Sequence, residues 1–351
     1  MSKFQKIKII LIGAYPPPIG GNSIHIKRLS EQYLLKGINA IVLDPYNIPT
    51  NNDFNNVYRF KGNKLIRGIK LLFKIIKYFD YSIVHIHVSA MNRFFFFAVP
   101  FIICTIGRKR LITIHSGSFQ ERIESKSFFY RLWLNLILNR FNHIITVNDM
   151  QANYLIEKIK IKRDKINIIP AFIPPMSLNS NFSIPIELES VKWLVLSSGY
   201  CTKLYGYFEI LNVIDKLQKE GWSIGIILAI YSEYDKDILR QIGNKIKKMK
   251  NAIIYNDLPS DKFISLQKIC KLYIRATYKD GDAIAIREAA MMGCRIIASD
   301  CVIRPKGCAL FKTGDEQSLY LVLKKCLSDL KYGTLNDVDT EYSEKIISLY
   351  N

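Results

Sequence analysis

Short apolar runs alternate with longer amphipathic stretches along the whole chain. "KIKIILIGA" (6–14), "NAIVLD" (39–44), "SIVHIHV" (82–88), "RLITIHS" (110–116) and "HIITVN" (143–148) are β-branched and almost continuously apolar. That is the pattern of strands buried on both faces of a parallel sheet. Between them, apolar residues recur at steps of three and four, predicting helices over about Ser23–Lys36, 62–79, 94–107 and 126–139. After "KINIIPAFIPPM" (165–176) comes "SLNSNFSIPIELES", polar, irregular and carrying Pro185, which reads as a linker. The alternation then restarts. Strands are expected at 191–199, 223–230, 251–257, 271–277 and 295–300, with helices over 205–220, 233–249, 260–269, from near Ala283, and over 315–330.

Strand-helix alternation in two blocks predicts an α/β protein of two Rossmann-like, doubly wound parallel-sheet domains. The expected domains are residues 1–178 and 179–335, followed by an amphipathic C-terminal helix, 336–351, that could pack on the first domain. A length of 351 residues suits two domains of about 150–180 residues each.

Composition narrows the setting. With 49% hydrophobic and 23% charged residues the chain is ordinary globular material. Fifty Lys+Arg against thirty Asp+Glu, a formal +20, favour anionic partners. The lysines are spread over many helices instead of forming one footprint, so no nucleic-acid partner is expected. Seven cysteines without a CxxC pair fit reduced thiols and a cytoplasmic location. The N-terminal apolar run ends in a Pro/Gly turn and reads as a first strand, not a signal peptide. "FFFFAVPFIICTIG" (94–107) is too short for a bilayer span of about 20 residues and contains Pro100, so it is expected as a buried helix.

In open parallel sheets, ligands bind beyond the carboxyl ends of the strands, so the residues just after each strand are the ones to inspect. Gly20 and Gly21 follow the first strand and open a helix, where backbone can approach an anion and Asn22 or Ser23 can cap. The GxGxxG spacing of a dinucleotide fingerprint is missing. His115 follows another strand, where an imidazole can hydrogen-bond or carry charge near neutral pH. His85 and His87 point the same way, but the sequence shows no third ligand beside them, so no metal is expected. In the second half Lys203, between Gly199 and Gly206, can neutralise a diphosphate. Asp280, Asp282 and Glu288 lie within nine positions, with Asp282 where a carboxylate would cap the helix starting at Ala283. The helix at 62–79 sets Lys64, Arg67, Lys70, Lys74 and Lys77 opposite Leu65, Ile69, Leu72, Ile75 and Ile76. Such a cationic stripe is either the solvated face of a core-packed helix or a contact for an anionic bilayer.

Together, "PPPIGGNSIHIKRL", "TIHSGS", "NIIPAFIP" and above all "YKDGDAIAIREAAMMGCRIIASD" resemble the retaining glycosyltransferases of the family-four type, in order and over nearly the whole chain. Asp280-x7-Glu288 resembles the family's E-x7-E signature, in a form similar to a bacterial surface-polysaccharide subgroup. The resemblance implies a GT-B fold, two facing domains with a cleft between them. It implies that Glu288 binds the ribose of a nucleotide-sugar donor, that Asp280 lies by the donor sugar, and that Gly281, Asp282, Ala283, Ile284 and Ala285 hold sugar hydroxyls and pyrophosphate. Lys203, with Gly199 beside it, would neutralise phosphate; Gly20 and Gly21 would form the diphosphate and acceptor loop; and His115 would stand at the reaction centre.

The resemblance further implies a metal-independent reaction with no cofactor, the nucleotide-sugar being a substrate. The implied acceptor is a lipid-diphosphate-linked oligosaccharide of O-antigen or capsule synthesis, at the inner face of the cytoplasmic membrane. Two departures stand out: Asp280 is one methylene shorter than the usual glutamate, and Tyr200, Cys201 and Thr202 occupy the place of an arginine. Arg275 and Arg304 are the candidate replacements for that second phosphate cation. The alternatives are a GT-B sugar-nucleotide epimerase and a non-catalytic anion- or membrane-binding protein.

Overall fold

The computed structural model describes residues 7–46, 56–89, 97–117, 119–176, 182–231, 235–335 and 339–351. The chain divides into two compact units, Met1–Ile173 with Thr340–Asn351, and Pro174–Asp339. The first unit is built on a seven-stranded, wholly parallel sheet: β1 (Lys8–Ile12), β2 (Asn39–Asp44), β3 (Val57–Arg59), β4 (Ile83–Val88), β5 (Lys109–Ile114), β6 (His143–Thr146) and β7 (Ile166–Ile168). Its spatial order is β3-β2-β1-β4-β5-β6-β7. The direction of winding reverses between β1 and β4, as in a doubly wound fold.

Alternation along these strands assigns the two faces. Ile10, Ile12, Val84, Ile86, Ile112 and Ile114 belong to one core cluster. Helices α2 (Lys64–Lys77), α3 (Ala98–Cys104), α4 (Phe119–Glu124), α5 (Phe128–Leu138) and α6 (Asp149–Glu157) cover that face, contributing Ile75, Phe101, Phe119, Leu134 and Leu155. The opposite face carries His85 and His87 and meets α1 (Gly21–Leu35) and the C-terminal helix α13 (Tyr342–Ser348). Tyr350, just beyond α13, hydrogen-bonds Tyr33 of α1 and, at 2.8 Å, His85 Nδ1.

The second unit is a six-stranded parallel sheet of β8 (Trp193–Tyr200), β9 (Ile224–Tyr231), β10 (Ala252–Asn256), β11 (Leu272–Arg275), β12 (Arg295–Ser299) and β13 (Ala309–Phe311). The order β10-β9-β8-β11-β12-β13 reverses between β8 and β11. The helices are the short α7 (Ile186–Glu189), α8 (Tyr207–Lys219), α9 (Lys236–Ile246), α10 (Ser260–Ile269), α11 (Ile284–Met291) and α12 (Glu316–Ser328). One face buries Ile210, Ile214, Ile242, Leu319 and Leu323 of α8, α9 and α12 against Val195, Ile226 and Ile274.

Three sequence expectations need correction. The helix at 62–79 packs on the core with only part of its apolar face: Gly68 and Ile75 are buried and Leu71 and Leu72 partly so, while Leu65, Ile69 and Ile76 are exposed. Its apolar arc is wider than the contact the sheet offers. Of the stretch 94–107, residues 94–96 lie outside the described residues, and α3 buries only Ala98 and Phe101. Val99, Ile103 and Ile106 face solvent. A helix absent from the sequence reading, α6, is capped by Asn148, whose side chain accepts from Gln151 N. The polar cap residue was in view, but its helix is only nine residues long.

Candidate active site

Each unit gathers its candidate residues at its reversal point, where two neighbouring strands send their chains to opposite faces and leave a crevice. In the second unit, the next-to-last residue of β8 is Gly199, whose φ of +154° suits glycine, and whose Cβ would overlap the Tyr205 ring. A 3₁₀ turn, Lys203–Tyr205, follows. Gly206 closes it at φ +63°, and a Cβ there would sit 2.2 Å from the carbonyl oxygen of Ala276. That close approach seats the turn against the segment leaving β11, where Tyr278 N donates to Leu204 O at 2.9 Å. Lys203 itself is exposed and pairs with no acid among the described residues.

The loop after β11 is organised by charge. Asp280 is largely enclosed, its side chain 9% exposed, and its carboxylate accepts from Arg275 Nε (3.0 Å) and Nη2 (3.3 Å), Arg304 Nη1 (2.8 Å), Thr277 Oγ1 (3.1 Å) and the Gly281 amide (3.1 Å). Burial works against this carboxylate, yet the two guanidinium groups prevail and hold it well below the usual carboxylate range. Arg275 also donates to Ser198 O at 2.9 Å and lies 4.9 Å from the Tyr205 ring centre. Arg304 reaches Ser299 O (3.0 Å) and Thr277 Oγ1 (3.0 Å). One carboxylate between two arginines leaves a net positive charge beneath the loop.

This network changes three assignments. The oxygens of Asp280, expected beside the donor sugar, are engaged by five donors of the protein itself. The donors of Arg275 and Arg304, candidates for the second phosphate cation, point at Asp280, at backbone carbonyls and at the side chains of Thr277, Ser299 and Cys301. Asp282 does not cap: the N-cap of α11 is Ala283, and Asp282 Oδ1 accepts from Arg287 Nε at 3.2 Å instead. An i,i+5 arginine one turn into the helix offered a charged partner that a backbone cap could not match.

Glu288 sits on the inner side of α11, 5% exposed. Tyr231 and Tyr273 have phenols raised by burial, and both feel the Glu288 charge. Tyr231 ends β9, and Tyr273 lies within β11. Gly281, Asp282, Ala283, Ile284 and Ala285 run directly into the first turn of α11 above it.

In the first unit, β1 leads to Gly20 as the N-cap of α1. Ser23 Oγ accepts from Gly20 N at 3.0 Å and donates to Pro18 O at 2.7 Å, fixing the Gly20–Gly21 turn. Two residues later is His25, which sequence reasoning did not single out. Its Nδ1 donates to Ala171 O at 2.6 Å, and Arg28 donates to Ile173 O at 2.9 Å.

Four of the chain's five histidines converge here. His115 Nε2 is 3.0 Å from His87 Nδ1, His25 stands 4.9 Å from His115 between ring centres, and His85 stands 4.2 Å from His87. Burial lowers all four, reinforced by Arg28 at His25 and by neighbouring imidazoles at the other three: His25 to about 4, His85 to about 3, His87 and His115 well below the ordinary value. Of the two roles open to His115, hydrogen bonding and carrying charge near neutrality, its lowered pKa favours the first. The missing third ligand for His87 also appears: ring nitrogens of His25, His87 and His115 all lie within 4.8 Å of one another, a spacing that could hold a metal ion. The signal was dispersed over residues 25, 87 and 115, and only the sheet order joins them.

Two parallel-sheet α/β units with these strand orders form the GT-B architecture of glycosyltransferases. Residues 19–176 match the Glycosyltransferase Family 4 profile. Fold and profile together support a glycosyltransferase of GT-B type. A glycosyltransferase from Rickettsia africae ESF-5 superposes with a TM-score of 0.71 at 16% identity, over 99% of this chain and 98% of that one. Anabaena HepE, in complex with UDP and glucose, gives 0.69 at 14% identity over 98% and 97%. The sucrose-phosphate synthase of Thermosynechococcus elongatus gives 0.70 at 15% identity over 98% and 95%. No curated protein sequence matches the chain.

Proposed function

We propose that the chain transfers a glycosyl unit, with retention and without a metal, from a nucleotide-sugar to a hydroxyl of a lipid-diphosphate-linked oligosaccharide in surface-polysaccharide synthesis, such as O-antigen or capsule. The observation that carries the donor assignment is the buried Glu288 beneath a helix start, beside an exposed lysine on a turn fastened to the same loop. In this reading the Glu288 carboxylate accepts from the ribose hydroxyls. Lys203 and the backbone at the start of α11 meet the diphosphate, whose negative charge grows as the glycosidic bond breaks. HepE, a structural neighbour, is described with UDP and glucose, which supports this donor class.

The sugar passes through an oxocarbenium-like centre, so the leaving phosphate is the group to be stabilised. Departure and attack on the same face, with the phosphate taking the acceptor's proton, gives retention. The Gly20–Gly21 turn and neutral His115 contact acceptor and sugar by hydrogen bonds. Asp280 acts through the loop it holds. The basic helix α2 lies against an anionic membrane, at the inner face of the cytoplasmic membrane.

Glu288→Ala tests the assignment. A charged acceptor lost from a ribose contact costs about 1.5–3 kcal/mol, roughly a 10- to 100-fold weaker Kd by calorimetry with whichever of the UDP-, GDP- or ADP-sugars binds wild type. Unchanged affinity would refute the donor site.

A further inference from the structure

Helices α2, α3 and α5 lie side by side on one face of the first sheet. Their inner residues, Ile75, Phe101 and Leu134, are fully or almost fully buried. A second apolar stripe on each is left facing water. On α2, Leu65, Ile69, Phe73 and Ile76 follow one another at steps of four, four and three, between 43% and 68% exposed. On α3, Val99 and Ile103 stand one turn apart, 49% and 61% exposed. On α5, Phe129, Leu132 and Leu136 repeat the spacing at 78%, 47% and 56%. Single exposed hydrophobics are ordinary, but three adjacent helices each turning a stripe outward form a patch that needs a partner.

Charge identifies the partner. "KLIRGIKLLFKIIK", "AVPFIIC" and "FFYRLWLNLIL", the full sequences of the three helices, contain no Asp or Glu and carry Lys64, Arg67, Lys70, Lys74, Lys77 and Arg131. Lys74 is engaged inside the fold, 3.6 Å above the Tyr58 ring. Lys64, Lys70 and Lys77 are exposed beside the stripe. Protein interfaces are depleted in lysine at their cores, whereas an anionic bilayer offers acyl chains to the apolar stripe and headgroups to the lysines. No helix among the described residues is long and apolar enough to cross a membrane. We propose that the outer side of α2, α3 and α5 forms one docking surface that lies in the headgroup and acyl boundary of an anionic bilayer, with α5 inserting Phe129 and Leu136. This rests on the membrane placement of α2 proposed above and enlarges it from a charged helix to a three-helix apolar surface.

The test is sedimentation of the full chain with vesicles of 70% phosphatidylcholine and 30% phosphatidylglycerol, and with pure phosphatidylcholine. Wild type should partition onto the anionic vesicles about a hundredfold more strongly. Phe129→Ser/Leu136→Ser should weaken that partition about tenfold, and the loss should persist at high salt, because it removes buried area and not charge. Lys70→Glu/Lys77→Glu should remove the preference for anionic lipid. Retained near-UV circular dichroism and an unchanged thermal midpoint confirm that both variants are folded. Wild-type partition by the α5 variant overturns the three-helix surface while leaving α2 docking in place. Equal binding of wild type to both vesicle types, or a dimer by light scattering that the α5 variant splits, overturns both. Neither result depends on donor binding, which Glu288→Ala tests separately.

Discussion

Acidification from pH 7 to pH 5 should destabilise the first unit selectively. A histidine buried in its neutral form has a folded pKa below its unfolded value of about 6.5, so the unfolded chain binds more protons and stability falls as pH drops through that window. For His25, lowered to about 4, the loss at pH 5 is about 2 kcal/mol, and for His85, lowered to about 3, it is again about 2 kcal/mol. His87 and His115 act in the same direction. The sum, about 4 kcal/mol from the first two alone, is a large fraction of the roughly 5–15 kcal/mol available to a domain. Buried Asp44 and half-buried Glu31, whose carboxyls are raised, work in the opposite direction. A His25→Gln variant, measured alongside wild type, therefore isolates one histidine and should remove about 2 kcal/mol of the pH dependence.

All five histidines belong to the first unit, which also holds Trp133, while Trp193 and Trp222 belong to the second. Urea unfolding followed by Trp133 fluorescence in a Trp193→Phe/Trp222→Phe background reads the first unit. Unfolding of Trp133→Phe reads the second, whose midpoint should barely move. A Trp133 midpoint that holds steady between pH 7 and 5 would refute the buried, neutral histidine cluster.

Arg304→Ala should destabilise the second unit by about 3 kcal/mol, because Asp280 stays buried with one guanidinium instead of two; a thermal melt shifted by less than a degree would refute it. Gly206→Ala places a Cβ at φ +63° and 2.2 Å from a backbone oxygen, so it should cost at least about 1–2 kcal/mol from the left-handed conformation alone, with weaker donor binding as the Lys203 turn lifts from Ala276.

The architecture was legible because parallel strands buried on both faces must be continuously apolar, and their alternation with helices leaves few topologies. "SIVHIHV" and "RLITIHS" read as strands from this alone, and both are. Local chemistry was legible too: Gly199 and Gly206 mark a turn whose backbone only glycine suits, and "KDGD" marks the loop after β11. Which carboxylate faces which group was not. Asp280 and Glu288 look alike in sequence, but Arg275 and Arg304, 5 and 24 residues away, turn the first inward.

Long-range pairing decided the rest. His25, His87 and His115 are separated by dozens of residues and come together because β4 lies between β1 and β5 in the sheet. The same limit applies to α2, α3 and α5. Periodicity showed that each has an apolar arc, but only packing showed that the sheet covers part of it. A sequence determines where apolar and polar groups recur; the tertiary structure decides which are removed from water, and with that their charge, partners and use.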